Sequence, residues 1–265
     1  MNRYEKYKRK IKRYYHSISR YKLKLKRKVL KLRNIILEIG ISKDEFNLMT
    51  PSAKAISYPC HLGILFIGDF QDNLFPIIRR HLLGIYGPFF YEIHDLGKKD
   101  SLQSFPGDSF KKGIKRELKE EQNAIRSLNL HPTKKFHQLL IEKQKQDNID
   151  VILAITDLPL YSSYDKQIIF LFGEANLKHY CSVVSSFNLK EAFYERRQNP
   201  HLFEQRIIKE SIHEVGHLLL GREHCQNEFC VMTYSTEIEG IDRKSPHLCK
   251  MCFDKLHSRR VKYNL

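Results

Sequence analysis

No run in these 265 residues approaches the length a helix needs to cross a bilayer, and the basic N-terminus lacks the continuous apolar core of a secretory signal. A mitochondrial presequence would be richer in Arg and Ser than this stretch, which is mostly Lys and Tyr. Cysteine is sparse: six in a chain this long, at these spacings, do not make a disulfide framework, and reduced thiols point to the cytoplasm. Acids are nearly missing from the first 34 positions, where 15 Lys/Arg face a single carboxylate, Glu5. The net charge of +16 therefore belongs to that arm, and the remaining 231 residues are left close to neutral. With 42% hydrophobic residues, the rest has an ordinary soluble composition and enough length for a full core in one or two domains.

The chain divides into an arm (1–50), a proline-bounded linker (51–59) and a body (60–265). In the arm, Tyr4, Ile11, Ile18, Leu25, Leu32 and Ile39 share one heptad position. Tyr7, Tyr14, Tyr21 and Ile35 share a second, which Lys28 interrupts. That spacing predicts a basic amphipathic helix with a narrow apolar stripe. Nucleic-acid phosphates, an anionic membrane surface and a partner helix all stay open as its contacts, beside the plainer reading that it packs on the body.

The body alternates between strand and helix signals. Strands are expected at His61–Phe70, Phe89–Ile93, Asp150–Asp157, Gln167–Ala175 and Cys181–Ser185. Helices are expected over 73–84, ended by Gly84 and Gly87, over Lys111–Leu128 and Lys134–Gln146, and from Pro200 or His201 onward. This pattern predicts a mixed α/β (α+β) fold, a twisted mixed sheet packed on helices. Cys60 and Cys181 sit in apolar surroundings and read as buried free thiols.

The chemistry concentrates in residues 213–252. His213, Glu214 and His217 form H-E-x-x-H, which on a helix sets two imidazoles one turn apart on the same face, able to reach one metal ion. Gly221 is a natural helix stop, and the returning chain brings His224 as a third ligand. Glu214 beside such an ion is placed to take a proton from metal-activated water. Cys225 with Cys230 and Cys249 with Cys252 then offer four thiolates in two close pairs, the donor set of a closed tetrahedral zinc site. Two zinc ions of opposite character are expected, one open for chemistry and one sealed for folding. The other histidines, among them His61 and His94, have no partner at ligand spacing and are read as having no role.

At these residues the sequence resembles the archaemetzincins, a metalloprotease family marked by H-E-x-x-H-x-x-G-x-x-H-C, then C-x-M, then C-x-x-C. The run here is His213-Glu214-Val215-Gly216-His217, Gly221, His224-Cys225, Cys230-Val231-Met232 and Cys249-Lys250-Met251-Cys252. It departs from the family in having three residues, Leu218 to Leu220, between the second histidine and the glycine, so His224 falls seven positions after His217. The stretches T-D-L-P-L-Y, F-G-E-A and V-V-S extend the likeness from about residue 60 to the end. The resemblance implies a metzincin-like sheet, an active-site helix, Met232 packed beneath the site and an edge strand above it able to pair with a peptide. It implies a zinc-dependent peptidase acting on a peptide or protein substrate. Two alternatives stand beside it: a zinc-binding pseudoenzyme that only binds peptides, and a nucleic-acid-associated zinc protein working through its basic arm.

Overall fold

Three short apolar runs, CHLGILFI, VILAIT and CSVVS, are buried over nearly their whole length and form the centre of the sheet. Runs apolar on both faces are what a parallel sheet covered by helices on each side requires. In the computed structural model, which describes residues 56–100, 130–164 and 171–265, these are β1 (Cys60–Ile67), β4 (Val151–Thr156) and β7 (Cys181–Ser185). The arm, residues 51–55 of the linker, the helix expected at Lys111–Leu128 and residues 167–170 of an expected strand lie outside the described residues.

The five-stranded sheet has the order β2-β1-β4-β7-β6, with β2 at Phe90–Lys99 and β6 at Gly173–Asn176. All pairings are parallel except β6 with β7, so the sheet is mixed with one antiparallel edge. Two residues of β3 (His131–Pro132) and two of β5 (Leu160–Tyr161) form a small parallel pair beside it. Along β1 the side chains alternate between two cores. Leu62, Ile64 and Phe66 face α1 (Leu74–Tyr86), α3 (Pro200–Leu220) and α5 (Lys250–Lys262). Leu65 and Ile67 face Phe136 and Leu140 of α2 (Thr133–Asp147).

Several element boundaries differ from expectation: β1 ends at Ile67 and not Phe70, and of the strand expected at 167–175 the described part begins only at Gly173. The first helix runs through Gly84 to Tyr86, since Gly84 lies on its exposed side and a single glycine there costs a helix only about 1 kcal/mol. The second strand continues past Ile93 to Lys99, polar on its outer positions as an edge strand should be. Tyr58, at the end of the stretch read as a linker, packs edge-on against Phe89 and Tyr263. Cys60 and Cys181 are buried and free, and burial pushes both thiols up. Among the described residues no helix is long and apolar enough to cross a membrane.

Candidate metal centre

Helix α3 starts where the sequence provides a cap. The Asn199 side chain accepts from Leu202 N at 3.0 Å, and Pro200 supplies the first-turn φ without wasting a donor. The helix ends at Gly221, whose N–H reaches His217 O at 2.9 Å and whose φ of 97° only glycine adopts without strain. Every residue from Arg206 to Leu220 is buried, so α3 is a central helix with no solvated face over that stretch. The extra leucine is absorbed as one more helical residue before the turn.

Burying that whole circumference requires compensation for polar residues on the far side from the sheet. Arg206, with no exposed surface, pairs with Glu191 at 2.5 Å and holds Asp242 through Nε and Nη2, each at 2.6 Å. Lys209 Nζ donates to the carbonyls of Ile241 and Asp242, and Lys244 pairs with Glu210 at 2.7 Å. These contacts tie α3 to α4 (Ile238–Arg243) and the residue after it. Read from sequence, Arg206, Lys209 and Glu210 look like a solvated face; only the packing shows otherwise.

At the C-terminal half of α3 the three histidines meet. Ring centroids are 4.6 Å apart for His213–His217, 4.7 Å for His217–His224 and 5.3 Å for His213–His224. One nitrogen from each ring lies within 4.8 Å of the others. His213 Nδ1–H donates to Val231 O at 2.7 Å and His217 Nδ1–H to Gly221 O at 2.9 Å. Those bonds put the ring proton on Nδ1 in both residues, leaving two unprotonated Nε2 atoms facing each other at 3.0 Å. Two lone pairs at that distance repel unless a cation lies between them. Ligand nitrogens around a tetrahedral zinc, with bonds of about 2.0–2.1 Å, sit roughly 3.3–3.4 Å apart, so the fit needs only a few tenths of an ångström. Desolvation holds the rings neutral: it drives His213 well down, His217 to about 4 and His224, the exposed member of the three, to about 3, with Lys244 adding to all three and the neighbouring imidazoles to His213 and His224. The Tyr234 ring lies 4.8 Å from that of His224.

Glu214 follows His213 on α3, and its Oε2 is buried without a hydrogen-bond partner. Burial raises its carboxyl well above the usual range, Glu210 and Glu174 push it further, and Lys244 acts against them. Gly173, the first residue of edge strand β6, makes room for it: a Cβ there would lie 2.4 Å from Glu214 Oε1. Gly216 plays the equivalent part below the helix, where a Cβ would meet Met232 Sδ at 2.4 Å and Tyr86 Oη at 2.6 Å. Tyr86 Oη in turn donates to Ile212 O at 3.1 Å. Ligand spacing marks none of Gly173, Gly216 and Tyr86 as part of the site, although the F-G-E-A stretch already carries the first.

The four cysteines converge beside this centre, with Sγ atoms within 4.8 Å of one another and Cys225 to Cys249 at 3.5 Å. Sulfurs around a tetrahedral zinc, with bonds of about 2.3 Å, stand about 3.8 Å apart, close to what is seen. Cys249 N–H points at Cys230 Sγ at 3.3 Å, a bond that favours a thiolate acceptor. His247, next to the cluster in sequence, is not part of it; its carbonyl accepts from Val231 N instead.

Comparison with known proteins speaks to the family and the fold. The model of Peptidase family M54 matches residues 114–258. The archaemetzincin of Methanocaldococcus jannaschii is 36% identical over 126 residues, covering 48% of this chain and 68% of that protein. That of Thermococcus kodakarensis is 38% identical over 104 residues, and this chain spans only 55% of its length. Among solved structures, the archaemetzincin of Methanopyrus kandleri superimposes with a TM-score of 0.52 at 22% identity, over 76% of this chain and 96% of that one. A zinc-dependent peptidase from Methanocorpusculum labreanum gives 0.55 at 21%, over 74% and 99%. At such identities the two structures speak for the fold alone.

Proposed function

On the premise that this chain belongs to peptidase family M54, we propose that it is a zinc-dependent peptidase whose catalytic centre is His213, His217 and His224 with Glu214 as general base. One observation carries the reading: two Nδ1-protonated imidazoles and a third ring converge on one point, and Glu214, next to His213 on the same helix, keeps a buried carboxylate oxygen without a partner. A zinc ion there would polarise the scissile carbonyl and lower the pKa of a water molecule towards about 7.

The chain's own residues do the rest. The backbone carbonyls of Val231 and Gly221 fix the tautomer and aim of the two helical imidazoles. Glu214 takes the proton from the attacking water and gives it to the leaving amine nitrogen. Met232 and Tyr86 fill the space under Gly216 and set the height of the helix beneath the imidazoles. The outer edge of β6 lies above Glu214 and offers main-chain groups to an extended peptide, which enters by strand addition. The substrate class is accordingly a peptide or an unfolded protein segment.

A second zinc, held by Cys225, Cys230, Cys249 and Cys252, is structural in this reading and pins the C-terminal segment. In this reading the peptidase body runs over 60–265; the basic arm (1–50) lies outside the described residues, and contact with nucleic acid or an anionic surface through it forms no part of the reading.

The test is metal content beside peptide cleavage. Wild type should cleave a quenched-fluorescent peptide mixture. His224→Ala should carry one zinc equivalent fewer than wild type, whereas Glu214→Ala should match wild type in zinc and lose cleavage. Undiminished cleavage by Glu214→Ala would overturn the catalytic assignment; zinc content equal to wild type in His224→Ala would remove His224 from the centre.

A further inference from the structure

On the opposite face of the sheet from α3, three side chains that the sequence holds 33 residues apart come together. Along β1, Cys60, Leu62 and Ile64 face the active-site core, so by strand alternation His61 faces the side that carries Leu65, Ile67 and α2. The parallel register sets His61 opposite Glu92 and Gly63 opposite His94, and Glu92 and His94, two apart, share that face. The result is a His-Glu-His cluster whose ligand atoms all lie within 4.8 Å of one another. His61 Nδ1 stands 2.8 Å from His94 Nε2, and that nitrogen is 3.8 Å from Glu92 Oε2. We propose that His61, Glu92 and His94 form a further metal site, separate from the histidine and cysteine centres, that takes a divalent transition-metal ion such as Zn²⁺ or Ni²⁺.

The donor set is right for such an ion: two imidazoles and a carboxylate leave one or two positions for solvent, a three-ligand pattern that suits borderline metals and not Ca²⁺ or Mg²⁺. The spacing is right as well. The two nitrogens are 2.8 Å apart, against 3.0 Å in the His213–His217 pair, and each pair needs to open by only a few tenths of an ångström to reach the roughly 3.3–3.4 Å of a tetrahedral zinc shell. The scaffold is preorganised on one side. His61 N donates to Asp150 Oδ2 at 2.9 Å and His61 O accepts from Asp150 N at 3.2 Å, which holds the β1 residue in place from the β4 end. Exposure is right too, since His61 and His94 are half-buried and Glu92 is exposed, so an ion enters without opening the fold. A bound ion would cross-link edge strand β2 to β1 where the ladder is interrupted by the register shift between Cys60 and His61.

The site is tested by difference, so that the outcome does not depend on how many ions the other two centres hold. Full-length protein equilibrated with excess zinc, its other centres loaded, should hold one equivalent more in wild type than in His61→Ala or His94→Gln. Glu92→Gln should weaken that equivalent by more than the roughly 10–100-fold typical of losing an outer-shell partner. Substoichiometric Ni²⁺ followed by NMR on wild type covers the case of a poorly folding variant. The imidazole signals of His61 and His94 should broaden together before that of His257, an exposed histidine on α5. Equal zinc equivalents in wild type and both histidine variants, or broadening of His257 as early as the pair, would overturn the proposal.

Discussion

Replacing Gly173 with alanine isolates the placement of Glu214 from everything else in the centre. Gly173 does not need glycine for its backbone, since it is absent from the positive-φ residues. The cost of a methyl group there is purely one of contact. A Cβ would lie 2.4 Å from Glu214 Oε1 and 2.7 Å from both its Cδ and Cγ, where ordinary contact begins near 3.4 Å, so the carboxylate must retreat by about 1 Å. Displacements of that size at a catalytic group cost on the order of 100-fold in rate. Overpacking adds a stability loss of about 1–3 kcal/mol. The metal ligands belong to other segments, so zinc content should not change. The assay is kcat/KM on a quenched-fluorescent peptide with zinc counted on the same samples: a fall of about 100-fold, mostly in kcat, with metal intact. Activity within about threefold of wild type would show that Glu214 has room the packing denies it, and the reasoning about its position would fail.

Other perturbations draw on the same packing. Arg206→Ala strands Glu191 and Asp242 without their buried cation and should cost about 3–5 kcal/mol in denaturant unfolding, most of it recovered when both acids are also neutralised. His137 is buried and its pKa is pushed down to about 4, chiefly by desolvation, while in the unfolded chain it titrates near 6.5. Between those values only the unfolded state takes the proton, so stability should fall as pH drops from about 6.5 to about 4 and level off below, by on the order of 3 kcal/mol. His137→Gln should reduce the pH dependence of the urea midpoint in that window by its own share, the other buried histidines, His131 among them, keeping the rest. Cys249→Ser should remove one zinc equivalent and lower the melting temperature sharply, because structural zinc sites contribute about 10 kcal/mol or more of folding free energy.

The limits of α3 were legible because its punctuation is local: Pro200 at one end and Gly221 at the other act within a turn of themselves. The central strands were legible for a similar reason, since β4 and β7 are apolar on both faces and a surface strand would alternate. The features that escaped depend on partners distant in the chain. Nothing local separates Arg206 and Lys209 from a solvated face, because their burial is decided by the 3-10 turn holding Glu191 and by α4. Spacing rules for ligands look along one helix or one loop, so they cannot see His61 beside His94 across a parallel pair whose strands are joined through α1. Gly173 reads from the sequence as part of a strand; that its missing side chain is filled by Glu214 requires the fold.

The extra residue before Gly221 raises the question of what sets the position of the third histidine. Counting along the helix gives the wrong answer, because one added residue rotates every later position by about 100° and advances it about 1.5 Å. His224, however, is positioned from its other side. Cys225 N donates to Met232 O at 2.9 Å, Cys225 bridges Thr233 in parallel, and Thr233 Oγ1 donates back to Cys225 O at 3.0 Å. The same Met232–Thr233 segment lies under α3, and its neighbour Val231 fixes His213 through its carbonyl. The sulfur of Cys225 belongs to the cysteine cluster. His224 therefore takes its place from the Met232 turn and the cysteine cage, and the turn at Gly221 has only to span the gap. A positive-φ glycine followed by two exposed residues, Arg222 and Glu223, has the slack to accept one residue more or fewer without moving the ring.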